Sequence, residues 1–162
     1  MAASMDRIEL TSAALFEALQ GLANDIRKEM GQIDRDGGTP DEIQLTRVRD
    51  KVVEFQSLMV VLDNALSKTR EGGTFVREIV GGIAQKLLMR ALSYETAHVA
   101  RLESEKSVPL FGAVMFERDL RQLDRLAEQV TTRPPELEAQ VTAARGALKN
   151  LIKRCPEIAD FG

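Results

Sequence analysis

Apolar residues recur along this chain at steps of three, four and seven, the spacing of one face of an α-helix. Clusters of polar residues, glycine and proline break the pattern at four places, which predicts five helices. The first stretch carries Ile8, Leu15, Leu19, Leu22, Ile26 and Ile33 on one face and predicts a helix over about 6–32. Asp6 followed by Glu9 fits an acidic variant of the capping box. Asp34-Arg35-Asp36-Gly37-Gly38 is the first break.

The second helix, over 40–70, has the clearest boundary signals. Thr39 suits the N-cap, Pro40 the first helical position, and Asp41 and Glu42 the positive end of the dipole. Its seam is Leu45, Val48, Val52, Phe55, Met59, Leu62 and Leu66, a strict seven-residue period that predicts near-parallel packing with left-handed coiling. Gly72-Gly73 ends it.

The third helix, over 75–106, is less plainly written. Residues 74–80 hold enough β-branched and aromatic side chains to pass for a strand. Val76, Val80, Ile83, Leu87, Ala91 and Tyr94 nevertheless continue one stripe without a phase break, which favours helix. Gly81-Gly82 interrupts it at about 1 kcal/mol per glycine relative to alanine, so the sequence predicts a kink or a close neighbour there. Ser107-Val108-Pro109 disfavours continuation beyond Lys106.

The fourth helix, over 112–131, turns Phe116, Leu120, Leu123, Ala127 and Val130 inward. It turns Glu117, Arg118, Arg121, Asp124, Arg125 and Glu128 to solvent. Thr132-Arg133-Pro134-Pro135 stops it. The fifth, over 135–155, buries Leu137, Val141, Ala144, Leu148, Leu151 and Ile152 and ends at Pro156. Short connections make sequential helices antiparallel neighbours. The expected architecture is therefore all-α: an up-down antiparallel bundle of about five helices in a single domain, 1–162.

Composition supports this picture. Of 162 residues, 44% are hydrophobic and 29% charged, while aromatics are only 4% and tryptophan is missing, so the core must be aliphatic. The net charge of −3 draws the molecule toward neither nucleic acid nor an anionic membrane. One cysteine, Cys155, excludes an internal disulfide framework and a thiolate-rich zinc site. Residues 1–7 lack the apolar core of a secretory signal, and the longest uncharged apolar stretch, 108–116, is too short to span a bilayer. These features predict a cytoplasmic protein without a membrane segment.

No constellation of residues specifies a reaction, so the sequence leans away from an enzyme and predicts no cofactor, with an enzymatic or metal centre around Glu95 and His98 as the least favoured alternative. Glu95-x-x-His98 resembles half of a di-iron carboxylate site, but the only histidine cannot supply the second half. A structural histidine is the simpler reading. Cys155 stands at a helix C-terminus, where the dipole raises a thiol pKa. The glycine pairs lack the spacing of a phosphate loop.

Two features predict a protein partner or a homo-oligomer. Leu58, Met59, Val60, Val61 and Leu62 are apolar on all sides of a helix, so this band must be central or lie in an interface. The connector that includes Leu110, Phe111, Val114 and Met115 either folds over the helix ends or docks a partner. Arg145, Lys149, Lys153 and Arg154 form a basic stripe on the last helix. It offers a weaker, nucleic-acid reading, without aromatics to stack bases.

Overall fold

The computed structural model describes residues 2–67, 73–105 and 112–155. Among them the chain is all-α, with five helices and no strand: α1 (Ala2–Arg35), α2 (Glu42–Leu66), α3 (Gly73–Ser104), α4 (Gly112–Gln129) and α5 (Pro135–Arg154). The expected end of the second helix near Arg70, Gly72, the fraying at Lys106, the connector residues Leu110 and Phe111, and the stop at Pro156 lie outside the described residues.

The boundaries of α1 and α2 differ from expectation, and α3 starts at Gly73 and α4 ends at Gln129, each two residues from its expected limit. α1 begins at Ala2, so Asp6 and Glu9 sit within the helix rather than at its cap. Ala2 and Ala3 are strong helix formers and nothing before Asp6 breaks the helix. α1 also continues to Arg35, and the chain then turns at Gly37 and Gly38, whose φ of 110° and 86° an L side chain adopts only with strain. α2 starts at Glu42, leaving Thr39, Pro40 and Asp41 outside it. Pro40 is buried and its carbonyl faces the His98 ring, a tertiary contact that outweighs the local preference for an earlier start.

α3 is helical throughout, including residues 74–80, because its long apolar stripe overrides the local strand propensity. Helix continues through Gly81-Gly82. A Cβ on either glycine would meet nothing within 4 Å, so the close neighbour that the sequence allowed is not there among the described residues.

Contacts divide the chain into two compact units. The first comprises α1, α2 and α3 as far as Leu87. Here α1 and α2 form a hairpin in which Ala23, Ile26, Met30 and Ile33 are buried, as is every residue of the α2 seam except half-buried Met59. Burying one such Leu or Ile contributes about 1.5–3 kcal/mol. Lys51 Nζ reaches Glu29 Oε1 at 3.2 Å across the hairpin.

The second unit comprises the 36–41 loop, α3 from Leu88, α4 and α5. α4 packs on α5 around Phe116, Leu123, Leu148 and Leu151. Arg133 closes the turn between them. Its Nε pairs with Glu138 at 2.7 Å, and its Nη1 donates to the Ala127 carbonyl at 3.4 Å, a group that the last turn of α4 leaves without a helical donor. In α3 the residues from Ala91 to Val99 are buried on nearly all sides.

Candidate partner-binding face

The apolar band on α2 is only half covered. Leu62 is buried and Leu58 and Met59 are half-buried, but Val60 and Val61 are 61% and 50% exposed. Val53 is also 61% exposed. It precedes Val60 by seven residues, two helical turns, so the two valines lie in line on one flank of α2. Sequence reading concentrated on the buried seam and missed Val53. Counting sevens from Val60 among the residues outside the seam would have found it.

Next to this flank is a groove of about 350 Å³ within the first unit. α2 supplies Met59, Val60, Leu62, Asp63 and Leu66, and the start of α3 supplies Arg77 and Val80. Among the described lining residues the charged ones are Asp63 and Arg77, at the rim. Arg77 Nε pairs with Asp63 Oδ1 at 2.6 Å, and Arg77 Nη2 reaches the Asp63 carbonyl at 3.4 Å. Both side chains remain exposed, so the pair contributes little to stability. Ile79, beyond the rim, is a further exposed apolar residue.

Of the connector residues, Val114 and Met115 are exposed in the first turn of α4. Their neighbour Phe116 is buried. A second groove, of about 230 Å³, runs between α3 and α5 in the second unit and is lined mainly by Ala97, Ala100, Ala143 and Ala147. Ser93, Thr96, Glu103 and Gln140 add polar groups to the lining.

The basic stripe is partly neutralised. Arg145 Nε donates to Asp124 Oδ1 on α4. That hydrogen bond and the charge of Asp124 raise the guanidinium pKa, and Glu128 and Glu138 add to the effect. Lys149, Lys153 and Arg154 are exposed beside it.

Glu95 and His98 are 2% and 3% exposed, within the second unit. His98 Nδ1 lies 3.4 Å from the Pro40 carbonyl, which makes the ring a bridge from α3 to the 36–41 loop. Asp119 and Thr96 are buried as well, and nothing in the helical periodicity marked either. Thr96 Oγ1 turns back to the Ser93 carbonyl at 2.8 Å. Among the described residues no three His, Cys, Asp or Glu side chains gather as metal ligands would. Cys155 is buried, with Sγ 3.2 Å from the Leu151 carbonyl. Burial pushes its thiol pKa up, and Arg154 offsets this in part. A thiol held neutral in this way is a poor nucleophile. No described helix is long and apolar enough to cross a membrane.

Comparison of the chain with protein families, characterised proteins and solved structures finds no match.

Proposed function

We propose that this chain is a non-catalytic protein–protein interaction module, an adaptor or small subunit of a larger assembly. In this reading a helix of another protein docks on the exposed flank of α2. The observation that carries it is the line of Val53 and Val60 beside an apolar groove. Two valines seven residues apart match the i, i+7 anchors of a helix laid along a helix. The groove's rim charges already neutralise each other, so the favoured partner is an apolar helical stripe rather than an acidic or basic segment. A reducing, cytoplasmic setting suits the single free thiol. The basic stripe on α5 supports a nucleic-acid reading less well, because Arg145 is already committed to Asp124.

The test is native mass measurement of the chain purified from its own host, with cross-links locating the contact. The expected result is a stoichiometric partner whose helical segment cross-links beside Val53 and Val60. Val53→Asp with Val60→Asp should remove it while the exposed sites leave the fold intact. A strictly monomeric chain, a contact mapped elsewhere, or a homodimer through this face would each overturn the proposed occupant.

A further inference from the structure

The first two turns of α3, Gly73–Val80, form one wall of the α2 groove. Three observations set this segment apart from the rest of the helix. Its anchorage is thin: among its described side chains only Val80 is buried, Val76 is half-buried, and Thr74, Arg77, Glu78 and Ile79 are exposed. The ion pair and hydrogen bond of Arg77 to Asp63 form an exposed tether, of the kind that holds weakly in water. The segment then ends at Gly81-Gly82.

Among the described residues nothing packs where a side chain on these glycines would sit. A Cβ on either would meet nothing within 4 Å, and neither has a positive φ. What they change is the helix itself. Each makes the helical state about fivefold less favourable than alanine would, and the pair about 30-fold, at 1.4 kcal/mol per decade. From Ala84 onward burial rises steeply, with Ala84, Leu87 and Leu88 all buried. By its described side chains the helix is therefore weakest at this glycine pair, between a thinly buried segment and a well-buried one.

We infer that Gly73–Val80 is a wall that unwinds as a unit while α1, α2 and the rest of α3 stay folded, with Gly81-Gly82 as its break point. Opening of the wall removes Arg77 and Val80 from the groove and lengthens the apolar strip on α2 from Val60 to Leu66. Such local opening is the ordinary behaviour of a segment with few buried contacts. The inference holds whether or not a partner docks. Its test uses no partner, so it and the proposed function can fail separately.

Native-state hydrogen exchange on the full chain decides it. A helical amide donates to the carbonyl four residues back, so unwinding of 73–82 releases the amides of Arg77 to Lys86 together. These should share one low protection factor, with a step upward after Lys86 and higher protection across Val52–Leu62 of α2. Val52→Ala removes buried methyl groups outside the wall and the groove. It should lower protection in α2 at least about tenfold and leave Arg77–Lys86 unchanged, because Val52 stays packed when the wall opens. Gly81→Ala with Gly82→Ala should raise protection of Arg77–Lys86 by about 30-fold. A profile that declines smoothly from Leu87 toward Gly73 would reduce the effect to end fraying and overturn the inference. So would wall amides as protected as those of α2, or wall amides that fall with α2 in Val52→Ala.

Discussion

The α4–α5 hairpin and the α2–α3 groove use similar aliphatic residues to opposite effect. α4 keeps its apolar residues on one stripe and, apart from buried Asp119, its charges off it, and the hairpin is closed by Arg133–Glu138 and Arg145–Asp124. Little apolar surface is left over beyond Val114 and Met115. α2 has an equally regular seam but adds Val53, Val60 and Val61 outside it, next to an α3 segment that ends in two glycines. The first region has spent its apolar surface on itself. The second keeps some uncovered, and that surplus makes it the candidate for a partner.

The comparison can be broken most forcefully in the cores. Leu148→Ala, at a site with no exposure, should destabilise the second unit by about 2–5 kcal/mol, seen as a lower urea midpoint. Val60→Ser should change stability by no more than about 0.5 kcal/mol, since that side chain is outside the core. If Val60→Ser costs as much as Leu148→Ala, the flank is part of the core and the contrast collapses. Next in size is the turn before α2. Gly38→Ala places a Cβ at a φ of 86° and should cost about 1–2 kcal/mol, even though nothing crowds the site. A double-mutant cycle on Arg145 and Asp124 should return about 0.2–1 kcal/mol, weakening with salt, as expected for an exposed pair.

The smallest effect is a pH dependence. Burial raises the Cys155 thiol above the unfolded value of about 8.5, so the folded chain holds this proton more tightly. Its contribution is fully present below that unfolded value and is lost as pH rises through it toward the folded one. Stability of the wild type should therefore decline relative to Cys155→Ser as pH is raised above about 8.5. A parallel decline in both proteins would mean that the thiol is not buried in solution.

The fold was legible wherever one face decides the structure. The α2 seam, the inward set of α4 and Pro135 at the start of α5 follow directly from spacing and stop signals. Spacing could not say which apolar stretch would be covered. A five-residue apolar band reads the same whether it is covered by the chain or left open, and covering depends on partners distant in sequence. Glu95, Thr96 and Asp119 were opaque for a related reason. Periodicity assigns polar residues to the outside, whereas here tertiary packing buries them. The α2 start was misplaced because Pro40 answers to His98, a residue 58 positions away.

Tyr94 gives the molecule an unusual optical asymmetry. The chain has one tyrosine and no tryptophan, and Tyr94 is buried in the second unit with Arg90 Nη2 at 3.2 Å from its hydroxyl. Tyrosine emission therefore reports on that unit, and the unit that holds the groove contributes none. Circular dichroism sees both. Denaturation curves recorded by the two methods will superimpose if the units melt together and separate if they melt apart, without any label being attached.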